Sequence, residues 1–352
     1  MPSFVLLLML RFDYDAIYKH VFHVYPLPAY VIAALWMAIG FAWLIERYRL
    51  APRAASAAAV GALALVGAVG GQANLFSDEE WGARYAKTVL SILPKDAVLF
   101  VRGDVDLAPI AYFYLVEGWR PDIELYHSAG RVLGNRLFLP LRVTGAEALD
   151  TIRKFIEAKK EPVTFTMETY SAYATRDHWL YMEVDKSSRD PKKVTIDIPE
   201  EAVRFFEESV ASVEEPNAWV AFHQDEMRRR YGVLLGQRLP RVRAPDARMS
   251  RHFELLSANY FGAVGLAEGM MYNEGYSATE VRRLLERAAA LMPSDANKSH
   301  KSRYFYVRGA LRLDLGDKQG AVRDFQTSLE VWPSPENPAS RPLKDALAAK
   351  QP

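Results

Sequence analysis

The sequence predicts an α/β domain followed by an all-α repeat domain, with a transmembrane helical hairpin in front of them. Three observations lead to this fold class: two long, nearly uncharged stretches before residue 72, alternating strand and helix patterns after it, and an internal repeat near the C terminus. We therefore divide the 352 residues into six segments. They are a partial span with an interfacial segment (1–26), the hairpin (27–72), the α/β domain (73–198), a helical connector (199–245), the repeats (246–334) and a flexible tail (335–352).

The composition excludes several functional classes. Lys and Arg (44) nearly balance Asp and Glu (43), so the formal charge is +1, and a dedicated nucleic-acid surface is not expected. The chain has no cysteine, which rules out disulfides, thiolate zinc sites and a cysteine nucleophile. Two histidines three apart, His20 and His23, lack an evident third ligand, and we predict no metal site.

The hairpin is predicted from hydropathy. Residues 27–45 form a 19-residue uncharged segment, long enough to cross a bilayer as a helix, and the weakly apolar, Ala- and Gly-rich residues 54–71 would return. The loop between them carries three arginines, which by the positive-inside rule places it in the cytoplasm. We therefore expect lipid contact, an inner-membrane location and an extracytoplasmic bulk. Residues 1–10 are too short to span and are read as the end of a truncated span.

Alternating patterns predict the α/β domain. Ser77 and Glu80 form a capping-box pattern that opens an apolar-faced helix, and residues 97–101 form a continuous apolar run typical of a strand covered on both faces. Asp106 is expected to cap a second helix, which Gly118 ends, and residues 122–126 form the next strand. Strand, helix and strand within about thirty residues indicate a βαβ unit and hence a Rossmann-like parallel sheet. A helix at 147–159 and strands at 162–167 and 178–184 continue the pattern.

An internal repeat predicts the C-terminal domain. Two sets of five residues have the same mutual spacing, which is the spacing of a tetratricopeptide repeat. Two copies are fewer than a self-sufficient solenoid needs. A helix near 250–260 is expected to pack on the first copy, and the run Met227–Arg230 is predicted to be a solvated helix end. The matching positions are Gly269, Val281, Leu285, Ala288 and Pro293 in one copy and Gly309, Ala321, Phe325, Ser328 and Pro333 in the other.

Five charged residues around the first two strands form a candidate polar site: Arg102, Asp104, Asp106, Arg120 and Asp122. Carboxylates at the carboxyl ends of parallel strands converge, so they could hold a cation or orient a sugar hydroxyl. In the alternative interpretation Asp106 is a helix N-cap, Asp104 a turn residue, and Arg120 pairs with Asp122 across a proline turn.

A second candidate site lies on the first helices of the repeats. Tyr272, Tyr304, Arg308 and Arg312 stand on helices that usually line a concave groove, where they could grip an extended peptide or an acceptor protein. Ordinary packing between helices is the alternative.

Two segments carry a family resemblance. Residues 91–109, with Gly103-Asp104-x-Asp106 before Pro109, and residues 116–123, with Glu117-Gly118-Trp119-Arg120-Pro121-Asp122, resemble a family of bacterial multi-pass membrane proteins, formerly a domain of unknown function. That family is related to a eukaryotic transmembrane protein O-mannosyltransferase of the GT-C glycosyltransferase class. The resemblance covers roughly residues 20–170, and it implies a lipid-phosphate sugar donor that is bound by spans this chain does not contain. No cofactor is therefore expected in the chain itself.

The sequence thus predicts a membrane-anchored extracytoplasmic accessory portion of a GT-C-like protein O-glycosyltransferase, a gene fragment, split subunit or paralogue without the catalytic spans. Its role would be to position acceptor or partner proteins, with a multi-span membrane subunit as one partner. The alternative is a tetratricopeptide-repeat membrane scaffold for protein interaction without sugar chemistry. A third hypothesis is a self-contained enzyme that uses Asp104 and Asp106.

Overall fold

The structure, a computed structural model, describes residues 27–48, 57, 60–61, 64, 80–130, 133–166, 172–191, 193–211, 218–241, 245–294 and 296–348. The chain divides into two compact units. One comprises residues 1–80 and 216–220, and the other residues 81–215 and 221–352.

The first unit contains helix α1 (Leu27–Tyr48). The predicted transmembrane hairpin is wrong for the described part of the chain, where no helix has both the length and the apolar character that a bilayer crossing requires. The prediction rested on hydropathy alone, which counts uncharged residues along the sequence. The partial span at 1–26 and most of the second stretch at 54–71 lie outside the described residues.

The βαβ unit of the second unit is confirmed. Helix α2 (Trp81–Ile92) leads into strand β1 (Val98–Val101), helix α3 (Asp104–Leu115) and strand β2 (Glu124–His127). Strand β1 is buried along its whole length and runs parallel to β2, with Val98 opposite Glu124. A strand with neighbours on both sides and helices on its faces has no solvated side, which explains its unbroken apolar run.

The remaining strands make the sheet mixed, so the predicted all-parallel, Rossmann-like sheet is wrong. Helix α4 (Gly145–Ala158) precedes β3 (Val163–Phe165), β4 (Ala174–Asp177), β5 (Met182–Asp185) and β6 (Val194–Ile196). The order is β2-β1-β3-β5-β4-β6, and β5 runs antiparallel to both β3 and β4. Only residues 178–181 join β4 to β5, too few for the crossover that a parallel pair needs.

Eight further helices follow in the described part of the chain, all in the second unit except for the first three residues of α6. Helices α8 and α9, and α10 and α11, form pairs where the repeat was predicted, and α7 packs on α8 as expected. Helices α6 and α7 form an additional pair in which the Tyr231 hydroxyl lies 3.0 Å from His252 Nδ1. The helices are α5 (Glu200–Ser209), α6 (Ala218–Arg238), α7 (Ala247–Ser257), α8 (Tyr260–Met271), α9 (Ala278–Leu291), α10 (Lys298–Asp314), α11 (Lys318–Val331) and α12 (Ser340–Ala348).

The first helices of the three pairs lie side by side, and glycine brings two of them very close. A Cβ added at Gly265 or Gly269 of α8 would lie 2.1 Å from the Arg229 carbonyl oxygen or 2.0 Å from that of Val233, both in α6. At Gly269, a position of the predicted repeat, the close approach is therefore to the preceding pair. At Gly309, the equivalent position, an added Cβ would meet the Phe325 ring of α11 at 2.7 Å.

The C-terminal segment differs from the predicted flexible tail, because residues 340–348 form α12. Ala339 is fully buried beside Ala321 and Phe325, and Leu343 packs on the same cluster. The buried Asn337 amide donates to the Ser328 carbonyl at 2.9 Å. The low apolar content of this segment hid a helix that is anchored by one polar side chain and a small residue.

Candidate functional site

Arg120 and Asp122 form a structural clamp at the end of α2. Arg120 donates through Nε and Nη2 to the two carboxylate oxygens of Asp122, both at 2.8 Å. Its guanidinium also donates to the carbonyls of Leu90, Leu93 and Pro94 at 2.5, 3.0 and 2.8 Å. Leu90 lies in the last turn of α2, where carbonyls lack partners within the helix, and the other two follow the helix. The hydrogen bonds from Arg120 hold the pKa of Asp122 well below its usual range. This is the proline-turn pair of the alternative interpretation, with an added helix-capping role.

Asp106 is buried beneath α2 and is not the N-cap of α3. Helix α3 begins at Asp104 with Gly103 at the cap position, so Asp106 lies inside the first turn. Its carboxylate is 4% exposed and accepts a 2.7 Å hydrogen bond from the hydroxyl of Tyr85, which is fully buried. Burial, followed by the negative charge of Asp106, raises the pKa of Tyr85.

The three strand-end residues whose contacts are described therefore do not share one set of contacts. Asp106 bonds to Tyr85, whereas Arg120 and Asp122 bond to each other and to backbone. Arg102 is exposed, and the side chain of Asp104 lies outside the described residues. Among the described residues, no group of three or more His, Asp or Glu side chains is placed to hold a metal ion.

Three of the four predicted groove residues pack between α10 and α11. Arg308 donates through Nε and Nη2 to Asp324 at 3.0 and 2.6 Å, and Arg312 Nη1 donates to the same carboxylate at 2.9 Å. Asp324 is 2% exposed, and Tyr304 is buried with its hydroxyl 3.2 Å from Arg308 Nη1. These contacts support the packing alternative for Tyr304, Arg308 and Arg312. Tyr272 differs, because 58% of it is exposed.

An ion-paired row crosses the three first helices, and the sequence did not predict it. Arg229 of α6 donates to Glu268 of α8 at 3.1 Å, and Arg303 of α10 donates to the same carboxylate through Nε at 3.0 Å and again through Nη2. We call Arg229, Glu268 and Arg303 the charged row. Arg229 also makes a bidentate pair with Glu226 at 3.0 and 2.5 Å. The Tyr272 hydroxyl donates to Glu268 at 3.3 Å, which joins the exposed ring to the row.

The charged row is ionised despite its burial. Burial opposes the charge of Glu268, but the positive charges of Arg303 and Arg229 outweigh this effect and lower the pKa of its carboxyl. Because the partners lie 35 and 39 positions away on other helices, no local spacing revealed the row. The run Met227–Arg230, which was predicted to be a solvated helix end, supplies one arginine of the row.

The comparisons with known proteins add no assignment. No family model matches the chain, and neither the search of curated proteins nor that of solved structures gave a match. The resemblance to the GT-C family stays a prediction.

Proposed function

We propose that this protein is an interaction scaffold that holds a partner protein on the surface formed by α6, α8 and α10. The observation that carries the proposal is the charged row, because its ion pairs join α6, α8 and α10 side by side. Stacked helix pairs commonly bind extended segments on the face that their first helices share.

The composition of this face suits binding. Tyr272 exposes a large aromatic ring next to Arg303, whose side chain is 26% exposed. Aromatic residues and arginine are the types most enriched at protein interfaces. Because the ion pairs already fix the long side chains, a partner that docks there orders few additional rotamers, which reduces the entropy lost on binding.

The strand-end residues contribute less to such a role. Arg120, Asp122 and Asp106 already use their polar groups on α2, so we assign partner binding to the repeats and not to the sheet edge. A role in protein O-glycosylation and a multi-span subunit as partner rest on the sequence resemblance alone. An extracytoplasmic location rests on the hydropathy and arginine pattern of residues 27–72 alone.

Site-specific photo-crosslinking tests the proposal. The photoreactive residue p-benzoylphenylalanine replaces Tyr272 in the full-length protein, expressed in the cells that normally make it, and adducts are identified by mass spectrometry. The matched control places the same residue at Leu141, which is fully exposed in the α/β part. We expect a defined protein adduct from position 272 and none from position 141. The proposal fails if position 272 gives no adduct, or only the adducts seen at position 141.

A further inference from the structure

A pocket separate from the charged row opens between α7 and the start of α9. Its volume is about 540 Å³, which is within the range of specific ligand sites. Leu239, Phe253, Met270 and Tyr276 supply apolar surface, and Glu254 and Glu280 stand among the lining residues. The Tyr276 hydroxyl donates to Asp314 at 2.9 Å, so the ring is held in place as one wall.

The described lining of the pocket carries negative charge. Within the part of the chain that the structure describes, it includes two carboxylates and neither lysine nor arginine. Glu280 is paired with Arg283 at 2.9 and 2.5 Å, which reduces its field. Glu254 is exposed and makes no ion pair within the described part of the chain, so its charge is available to a ligand. An apolar cavity with a negative margin is complementary to an apolar group that has a positive charge close by.

We infer that this pocket receives a large apolar side chain from a linear peptide segment in which lysine or arginine stands next to that side chain. The inference rests on the proposed function, since it specifies the class of segment that the scaffold binds. Burial of the apolar side chain supplies the attraction, and the neighbouring cation meets Glu254. A segment without the cation would leave that carboxylate unused, and an acidic segment would be repelled.

Peptide selection provides the probe. Phage-displayed random heptapeptides are selected on the immobilised full-length protein, and enriched sequences are synthesised with a fluorophore for polarisation measurements. Three variants are compared with the wild type: Ser250→Trp, which fills the pocket from an exposed position on α7; Glu254→Lys, which reverses the free charge; and Glu286→Lys, an exposed glutamate of α9 outside the lining. Melting curves verify that each variant is folded.

We expect enriched peptides with a large apolar residue beside Lys or Arg. Glu254→Lys should weaken their binding by about three- to tenfold, the range for loss and reversal of one exposed ion pair. Ser250→Trp should weaken it at least as much, and Glu286→Lys should leave it unchanged. Since Glu254→Lys alters only an exposed side chain, it tests the role of the pocket even if Ser250→Trp misfolds.

Three results would overturn the assignment: no enrichment, enrichment of acidic or uncharged sequences, or binding that is equal in wild type and Glu254→Lys. Failure here is distinct from failure of the proposed function. A Tyr272 adduct that forms while selected peptides ignore the pocket variants refutes only the pocket, whereas absence of that adduct refutes the first-helix surface.

Discussion

A single methyl group at Gly269 is expected to destabilise the protein, although alanine favours helices more than glycine does. The added Cβ would lie 2.0 Å from the Val233 carbonyl oxygen and 2.7 Å from its carbonyl carbon, whereas ordinary contact begins near 3.4 Å. Both sides of the contact are helix backbone, so no flexible side chain can move away. Helices α6 and α8 would have to separate by roughly 1 Å, which opens the packing along their length.

The expected loss is about 2 kcal/mol. Overpacking of a close contact costs about 1–3 kcal/mol, and the rigid backbone on both sides places this site at the upper end. The higher helix propensity of alanine offsets about 1 kcal/mol of this loss in the free energy of unfolding. A net loss of this size exceeds the error of a careful denaturation experiment.

Gly82→Ala is the matched control, since it adds the same atom to a helix that has room for it. Its nearest neighbour would be the Pro109 Cβ at 3.9 Å, an ordinary contact. We expect this variant to match the wild type or to gain up to about 1 kcal/mol. Urea unfolding followed by circular dichroism at 222 nm measures both variants. If Gly269→Ala is as stable as Gly82→Ala, the close approach of α6 and α8 is wrong.

The sequence predicted the elements whose signals are local. The apolar run of β1 and the glycine that ends α3 gave the βαβ unit, and the repeat offsets gave two helix pairs. In each case the residues that determine the element lie within one short stretch of sequence. Examples are the apolar residues of a strand that is buried on both faces and the glycine of a turn that needs positive φ, as at Gly118.

The features that the sequence did not predict depend on contacts between distant segments. Asp106 has the sequence pattern of an N-cap, and only the position of Tyr85 shows that its carboxylate is a buried acceptor. The direction of β5 was set by the short connection from β4, a strand that the sequence did not predict. Neither fact can be read from residue type and spacing nearby.

The additional helix pair and the charged row have the same explanation. Gly232 and Gly236 of α6 lie against the backbone of α8, but α6 lacks the repeat offsets and was placed in a connector. Once α6 is packed there, Arg229 reaches Glu268 and the Arg-rich run is no longer solvated; Arg228 is 9% exposed. The candidate binding face therefore depends on the packing of three helices, and of the four predicted groove residues Tyr272 is the most exposed.

Two further predictions concern single side chains. Arg120→Lys should lower the free energy of unfolding by about 2 kcal/mol, because an ammonium cannot replace both the bidentate pair and the three carbonyl contacts. The control Arg153→Lys, at an exposed ion pair within a helix, should change the free energy of unfolding by less than about 0.5 kcal/mol. Equal effects of the two substitutions in urea unfolding would contradict the clamp. The second prediction concerns the effect of His223 on the pH dependence of stability. Burial lowers the pKa of its imidazole to about 4, against about 6.5 in an unfolded chain, so the unfolded state binds more protons below pH 6.5. Stability should therefore fall as the pH drops from 7 towards 4, and His223→Gln should flatten this part of the profile. Since the glutamine variant keeps a polar side chain without a titrating proton, identical slopes for the two proteins would show that His223 is not held neutral by burial.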